Sequence, residues 1–277
     1  MRSEAILSAL VDWVGPGAML RHVEVMECVT STNAMALDDD REGLLLLARE
    51  QTWGRGRHGS HWVSPPGGLY LSYVPPGEHL PSRATDVSLL AALAVANAVE
   101  IVLKAQGHSD AQALLKWPND VLIGDGKVAG VLLQSRGNVV NGGDGGPRTV
   151  VGIGINVNAR ILIDPPEEWP PDEWPVAPRS LSDLVGDALD LGPILVEVME
   201  HLLSRLRTGL DDAAMDEYRS RCITLGKRVA FTEGGKRLVG TAREISPDGG
   251  ALVVDLGGGE SREIRAGDVR HIRAVHG

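Results

Sequence analysis

The chain has 277 residues, 43% of them hydrophobic and 23% charged, and a formal net charge of -10. That length suits one large domain with or without a small appendage, and the acidic balance argues against broad nucleic-acid binding. Two cysteines, Cys28 and Cys222, are too few for a disulfide framework or a cysteine metal site. We expect both cysteines to be reduced, in a cytoplasmic protein. We also expect no signal peptide and no apolar run of membrane-spanning length.

The first part of the chain predicts helices interspersed with short strands. Apolar spacing predicts an amphipathic helix over residues 4–14 and a long core helix over residues 85–106. Ser31 is the expected N-cap of a short helix that reaches Asp38. Strands are predicted at residues 22–29, 44–48, 69–74, 114–117, 121–123, 128–134 and 150–158. Because the connections between the later strands are short, we expect a mostly antiparallel sheet.

The pattern of the sequence changes after Gly226. Before it, residues 193–221 predict one helix, and residues 137–148 and 163–178 predict a hairpin tip and a surface loop. After it, glycine-rich turns separate five short segments that predict strands: residues 228–231, 237–245, 251–256, 261–265 and 269–272. Five short strands with tight turns indicate a small closed barrel. We therefore predict one unit over residues 1–225 and a second over residues 226–277.

One loop combines glycine with fixed positive charge. The segment Gly54-Arg55-Gly56-Arg57-His58-Gly59 follows a predicted buried strand that leads to Gln51. Glycine lets the backbone approach a ligand closely, and each arginine presents a planar cation. Such a loop is suited to an anion, most plausibly a phosphate, although a solvated arginine-bearing turn is the simpler alternative.

A second group of polar residues surrounds a predicted hairpin. Lys116-Trp117-Pro118-Asn119-Asp120 ends one strand, and Lys127 opens the next strand but one. The chain has only five lysines, so two of them in one segment disfavour an ordinary hairpin lysine. An amide such as that of Asn119 offers both a donor and an acceptor, which suits an adenine edge.

Alternate glycines mark the last predicted strand of the first unit, Gly152-Ile153-Gly154-Ile155-Asn156. They leave one strand face bare, so that either a flat ligand or a packed helix can approach the backbone.

Taken in chain order, these motifs resemble the biotin protein ligases. The resemblance is carried by Ser31-Thr32-Asn33, Gln51 with the glycine–arginine loop, Trp62, residues 116–120, Lys127 with Gly130, and residues 152–158. It implies an α+β fold, with a mixed, mostly antiparallel sheet and helices as in class II synthetase-like cores, followed by an SH3-like barrel. It also implies activation of biotin by ATP to biotinyl-5′-adenylate and transfer to a lysine of a biotin carboxyl carrier protein.

The resemblance also implies residue roles. The catalytic group would be Lys127, Arg57 and Asp120, with Lys127 between the biotin carboxylate and the α-phosphate. The biotin-binding group would be Ser31, Thr32, Asn33, Gln51, Gly54, Arg55, Gly130 and Gly154. The nucleotide-binding group would be Arg57, Trp62, Lys116, Asn119, Lys127 and Asn156. Asp120 would help the incoming lysine to lose a proton, with a structural strand-end aspartate as the equal alternative.

The resemblance further implies the cofactors and partners. ATP would arrive with magnesium held by phosphates and water, without a protein metal site. A carboxylase carrier domain is the expected partner, and a homodimer is common in the family. About thirty residues precede Ser31, too few for the DNA-binding domain of some relatives, so no DNA partner is expected. A lipoate or octanoate transferase of the same superfamily and a non-catalytic biotin-sensing regulator are the alternatives.

Overall fold

A computed structural model describes residues 3–14, 18–136, 148–159, 161, 176–265 and 269–271. The helices are α1 (Ser3–Ala9), α2 (Thr32–Asp38), α3 (Ala84–Ala105), α4 (Leu181–Val185), α5 (Leu191–Thr208) and α6 (Asp212–Arg221). The strands of a first sheet are β1 (His22–Val29), β2 (Leu44–Gln51), β3 (Leu69–Val74), β4 (Ala113–Lys116), β5 (Asp120–Ile123), β6 (Gly126–Arg136) and β7 (Arg148–Ile155). A second sheet contains β8 (Arg228–Glu233), β9 (Lys236–Ile245), β10 (Leu252–Gly257), β11 (Glu260–Ile264) and β12 (Arg270–His271).

The first sheet is mixed and mostly antiparallel, as the sequence predicts. Its strand order is β1-β2-β3-β7-β6-β5-β4, and β1 with β2 is its one parallel pair in the described part of the chain. The connection through α3 separates β3 from β4 in sequence, so that β3 pairs with the distant strand β7 instead. This places the end of the glycine–arginine loop above the middle of the sheet.

Helix α3 forms the centre of the core against this sheet and α5. Its apolar residues are almost all buried, among them Leu90, Ala94 and Val95. By length and composition α3 is able to cross a membrane, so the expectation that no segment reaches that length was wrong. However, 72% of its most apolar window is buried inside the protein, which is the pattern of a core helix.

Helix boundaries differ from the sequence prediction in three places. The N-terminal helix ends at Ala9 and is followed by a short 3-10 helix, Val11–Trp13. The helix predicted over residues 193–221 is two helices, because Gly209 takes a positive φ of 82° and Asp211 caps α6 by accepting from the Ala214 amide. Helix α4 was not predicted. The predicted loops 137–148 and 163–178 lie almost entirely outside the described residues.

The second sheet is antiparallel throughout its described pairs, in the order β11-β10-β9-β8-β12, as expected of the SH3-like unit that the sequence predicts after the first sheet. Its contacts with the first unit include the turn between β9 and β10. There, Gly250 O accepts from the Trp117 indole N–H at 2.9 Å, and Gly249 O accepts from Thr85 Oγ1 at 2.6 Å.

Candidate active site

A cavity of about 460 Å³ opens on the face of the first sheet beneath the glycine–arginine loop. Most of the predicted site residues line it together, although they come from distant parts of the chain. These are Ser31, Thr32, Asn33, Gln51, Arg55, Arg57, Trp62, Asn119, Asp120, Lys127, Gly130 and Gly154. The fold therefore brings together the three motif groups that the sequence singled out separately.

The floor of the cavity is a row of small side chains set by strand register. Gly154 of β7 lies opposite Gly130 of β6, and Gly130 lies opposite Asp120 of β5. In the neighbouring row, Gly152 lies between Ser72 of β3 and Leu132 of β6. Side chains directly opposite one another in antiparallel strands share a face. Gly130, Gly152 and Gly154 therefore leave a bare groove across the sheet.

The indole of Trp62 lies in this groove. A Cβ atom added to Gly154 would come within 2.5 Å of Trp62 Nε1, and one added to Gly130 would come within 3.0 Å of Trp62 Cζ3. Trp62 Nε1 is buried and, within the described residues, has no hydrogen-bond partner. An unpaired buried donor is costly, so this N–H is available to an acceptor on a bound ligand.

Polar side chains at the start of α2 form one end of the cavity. Ser31 is the N-cap, and its Oγ accepts from the Ala34 amide at 3.4 Å, as the sequence predicts. The next residue, Thr32, donates its backbone N–H to Gln51 Oε1 at 2.9 Å. Gln51 Nε2 in turn donates to Ser64 Oγ at 2.9 Å. These groups are thus held as a fixed set of donors and acceptors.

Ser72, which the sequence analysis missed, lies beneath this end. Its fully buried Oγ is 2.7 Å from Thr32 Oγ1 and 2.5 Å from Asn33 Oδ1. The amide oxygen of Asn33 can only accept, so Ser72 donates to it. Thr32 Oγ1 also lies 3.2 Å from Gln51 Oε1, to which it donates. Asn33 Nδ2 also donates to Gln134 Oε1 at 3.0 Å. The amide of Asn33 is therefore fixed from both sides.

Lys127 and Asp120 form the other end of the cavity. Lys127 Nζ lies 2.6 Å from Asp120 Oδ1 and 5.2 Å from the centre of the Trp62 ring. A β-bulge puts Lys127 on this face. Ala129 pairs with Val121 and Lys127 pairs with Leu122, so β6 has one extra residue, Val128, at this point. Without that extra residue, Lys127 and Gly130 would point to opposite faces of the sheet.

The backbone of Lys127 is anchored on both sides. Its N–H donates to Ala177 O at 2.8 Å, and its carbonyl accepts from the Arg179 amide at 2.9 Å and from Asn156 Nδ2 at 3.2 Å. These bonds fix the point from which the lysine side chain reaches the cavity.

The surrounding charges keep Asp120 ionised. Burial by itself would raise the pKa of Asp120, but the positive charges of Lys127, Lys116 and Arg57 outweigh burial and hold it below its usual value. The cavity therefore carries a carboxylate surrounded by cations, which favours binding of further negative charge.

Arg57 reaches the cavity from the loop above. Its Nη1 donates to Asn119 Oδ1 at 2.9 Å, and Asn119 Nδ2 donates to Val131 O at 2.6 Å. Asn119 is 8% exposed. The amide thus links the loop arginine to the floor of the sheet, and its own orientation is fixed.

Three predicted site residues do not line the cavity. Gly54 is buried below the loop, where a Cβ would lie 2.4 Å from Trp62 O. Lys116 pairs with Asp120 in the β4–β5 ladder and acts on its charge. Asn156 is 2% exposed and bonds the backbone of Lys127. Each contacts a lining residue, so their present role is support.

Other lining residues were absent from the prediction: Gly56, Gly59, Ser60, Leu71, Val131, Leu132, Gly152 and Ile153. The alternation of Gly152 with Gly154 is the signal for Gly152, and Gly56 and Gly59 belong to the glycine–arginine loop. Strand pairing brings in Leu71, Val131, Leu132 and Ile153. In the described part of the chain, no group of three His, Cys, Asp or Glu is arranged to hold a metal ion.

Known proteins share this sequence and architecture. Residues 25–156 match the Biotin/lipoate A/B protein ligase family, and residues 224–271 match the Biotin protein ligase C terminal domain. The biotin--[acetyl-CoA-carboxylase] ligase of Mycobacterium tuberculosis is 35% identical over 271 residues, which cover 94% of this chain and 92% of that protein. A ligase of the same name from Paracoccus denitrificans is 34% identical over 215 residues, which cover 76% of this chain and 82% of that protein.

A solved structure agrees with these sequences. The biotin protein ligase from Aquifex aeolicus, in complex with biotin and ATP, superposes with a TM-score of 0.72 at 26% identity, over 92% of this chain and 100% of that chain. The chain therefore belongs to the biotin/lipoate protein ligase family, and it carries the C-terminal domain of the biotin protein ligases.

Proposed function

We propose that this protein is an ATP-dependent biotin–protein ligase. The observation that carries the proposal is one cavity with fixed neutral hydrogen-bonding groups at one end and the cations Lys127 and Arg57 at the other. Biotin has a neutral ureido group and an anionic carboxylate at opposite ends, and so suits this polarity. The names of the Mycobacterium and Paracoccus relatives support the same activity.

In the first half-reaction, an oxygen of the biotin carboxylate attacks the α-phosphorus of ATP, and the bond to pyrophosphate breaks. Negative charge concentrates at the junction of carboxylate and phosphate. Lys127 Nζ, with three donors, exchanges part of its contact with Asp120 for these oxygens. Arg57 in the overlying loop holds the phosphate of the adenylate and slows its escape.

In the second half-reaction, a lysine amine of the acceptor attacks the acyl carbon, and AMP leaves with the electrons of the broken C–O bond. The attacking nitrogen must lose a proton. While Asp120 is paired with Lys127, its low pKa makes it a weak base. Its basicity rises once Lys127 turns to the phosphate, because the stabilising charge has moved away. Asp120 then receives the proton.

The remaining predicted residues bind the two substrates. Ser31, Thr32 and Gln51 bind the ureido group of biotin, and Asn33 lies beside them. The backbone of Gly54, Arg55, Gly130 and Gly154 surrounds the ring system. The nucleotide is bound by Lys116, Asn119, Asn156 and Trp62. Within the described residues the one carboxylate in the cavity is Asp120, which is paired with Lys127. Magnesium accompanying ATP would therefore be held by phosphates and water.

The acceptor in this proposal is the biotin carboxyl carrier domain of an acetyl-CoA carboxylase or a related enzyme, in the cytoplasm. We assign the chemistry to residues 1–225 and a supporting role to residues 226–277.

The test is biotin-dependent exchange of labelled pyrophosphate into ATP, followed by transfer of labelled biotin to an apo carrier domain. Lipoate and octanoate are run in parallel. Exchange with biotin alone supports the proposal. Exchange with lipoate or octanoate but not biotin would assign the protein to the other branch of the family, and biotin binding without exchange would indicate a sensor.

A further inference from the structure

An exposed aromatic pair stands on the outer side of the glycine–arginine loop. Trp53 is 65% exposed, whereas the other described tryptophans are half-buried or buried. Its ring lies against that of His61, with centroids 5.1 Å apart and planes tilted by 38°. His61 is exposed as well. Tryptophan and arginine are enriched among the residues that dominate binding at protein–protein contacts, so an exposed tryptophan beside a site suits a contact with a protein partner.

The backbone below this pair is firmly held. Thr52 N–H donates to Val29 O and Trp53 N–H donates to Thr30 O, each at 2.9 Å. On the other side, Arg55 forms an antiparallel bridge with His61. Trp53 therefore sits on a fixed corner between the end of β1 and the loop. A contact made with an ordered side chain costs less conformational entropy than one made with a mobile loop.

The pair lies outside the cavity, although its chain neighbours line it. Gln51 and Arg55 are lining residues, whereas Trp53 and His61 are not. A small ligand inside the cavity therefore leaves the indole in water. A macromolecule that inserts one side chain through the opening stands over the loop and can cover it. Burial of an aromatic side chain then contributes to its affinity.

The charge of the residues around the pair indicates which kind of partner surface is complementary to it. Arg55 is exposed, and among the described residues no carboxylate lies within 4.0 Å of its guanidinium. Arg55 and the aromatic pair thus present a cationic and aromatic rim on a protein whose net charge is -10. An acidic partner face is complementary to this rim and repelled by most of the remaining surface.

We propose that Trp53 and His61 form the docking contact for the acceptor carrier domain. Its occupant is the face around the lysine to be modified, with an apolar side chain on the Trp53 ring and an acidic side chain toward Arg55. This inference rests on the proposed function, and it assigns to the pair acceptor recognition rather than chemistry on biotin or ATP.

The test compares Trp53→Ala with wild-type protein in three reactions. These are biotin-dependent pyrophosphate exchange, acyl transfer from the enzyme-bound adenylate to hydroxylamine, and transfer to an apo carrier domain of a bacterial acetyl-CoA carboxylase. Hydroxylamine nitrogen attacks the acyl carbon and AMP leaves, without docking of a protein. We expect the first two rates to be unchanged and kcat/KM for the carrier to fall about tenfold or more, chiefly through KM.

Two further variants make the result specific. Trp53→Phe keeps an aromatic ring and should retain most of the carrier kcat/KM. Val11→Ala removes another side chain that is 65% exposed, in the N-terminal 3-10 helix, and should change none of the three rates. Carrier transfer should also weaken with added salt, whereas hydroxylamine transfer should not.

Three results would overturn the inference. Unchanged carrier kinetics in Trp53→Ala would show that the pair is not a docking contact. An equal loss in exchange would place the indole over the small substrates. Loss of a sedimenting dimer with normal carrier transfer would make a second copy the occupant. Absence of biotin-dependent exchange in the wild type would instead contradict the proposed function itself.

Discussion

At the scale of single residues, the site depends on where one lysine points. Lys127 shares a face with Asp120 and Gly130 because of the bulge in β6, and its ammonium lies between the Asp120 carboxylate and the Trp62 ring. Its side chain is 24% exposed, which leaves it accessible to a ligand from the cavity. The ammonium is therefore both oriented and able to exchange a partner.

Replacing Lys127 with alanine should nearly abolish exchange while leaving biotin binding largely intact. In the proposed reaction the ammonium acts on charge that develops at the phosphate, and the proposed ureido-binding residues lie at the other end of the cavity. Loss of one such group lowers kcat by about 10²–10³-fold. Exchange kinetics and calorimetric titration with biotin measure the two effects. The matched control is Lys236→Ala, an exposed lysine at the start of β9. Normal turnover in Lys127→Ala would remove it from the catalytic group.

Replacing Asp120 with asparagine should make the free energy of unfolding depend less on pH in the acid range. The pKa of Asp120 is held below the ordinary 3.8. Its carboxylate thus stabilises the fold above pH 3.8, and this contribution is lost as the pH falls through the lower folded-state pKa. The variant should be less stable at pH 7, with a difference that shrinks in stronger acid. Urea unfolding at several pH values measures this.

The control for that prediction is Asp125→Asn, an exposed carboxylate in the adjacent turn. It should scarcely alter stability at any pH. If the loss in Asp120→Asn were the same at every pH, lost packing rather than charge would explain it.

At the scale of elements, the bare face of β7 sets the shape of the cavity. Gly152 lies under the side chain of Asn33, and a Cβ atom there would lie 2.1 Å from Asn33 Oδ1. Asn33 is 4% exposed and hydrogen-bonded to Ser72 and Gln134, so it has little freedom to move aside.

Gly152→Ala should therefore weaken biotin binding. Displacement of Asn33 breaks its bond to Ser72, and overpacking of this kind costs about 1–3 kcal/mol. We expect the KM for biotin to rise about tenfold or more, while the KM for ATP changes little. Gly192→Ala is the control, because its Cβ meets nothing nearer than 3.4 Å and it lies in the first turn of α5. An unchanged biotin KM in Gly152→Ala would show that the cavity tolerates a shifted Asn33.

Element prediction succeeded where a local pattern decides the structure. The bounds of β1 and β3 match the prediction, and Ser31 is the observed N-cap. The prediction of one helix over residues 193–221 was wrong, because the chain breaks at Gly209 and Asp211 caps a new helix. A glycine followed by an aspartate two residues later was readable as an end and a start.

The site was predictable only as separate motifs. Each motif by itself indicates a type of ligand group. The resemblance to a family, which depends on the order of the motifs along the chain, is what assigned them to one common site. The neighbours of these motifs were hidden. Ser72 of β3 meets Asn33 of α2 only through tertiary packing, and Gly152 lies beside Ser72 only because β3 pairs with the distant strand β7. No local periodicity specifies which strands pair across 80 residues of sequence. Hence the groups that orient the polar end were missed.

At the scale of the whole molecule, the second sheet supports the segment that carries Asn119 and Asp120. The Trp117 side chain, 2% exposed, donates from its indole to Gly250 O of the second unit, and its backbone N–H donates to Thr224 Oγ1 at 3.0 Å. Both bonds hold Trp117, which is separated from Asn119 and Asp120 only by Pro118. The C-terminal unit therefore helps to position the segment that carries Asn119 and Asp120.

Trp117→Phe should consequently lower the exchange kcat several-fold with little change in biotin KM. It leaves an aromatic ring in place but removes the bond to Gly250 O, at a stability cost of about 1–3 kcal/mol. Thr85→Val is the matched control, because it removes the hydroxyl bond to Gly249 O of the same turn without touching residues 116–120. If thermal unfolding shows both variants destabilised and both keep the wild-type kcat, the two units are joined for stability alone. A kcat loss confined to Trp117→Phe instead shows that the turn acts through the segment it holds.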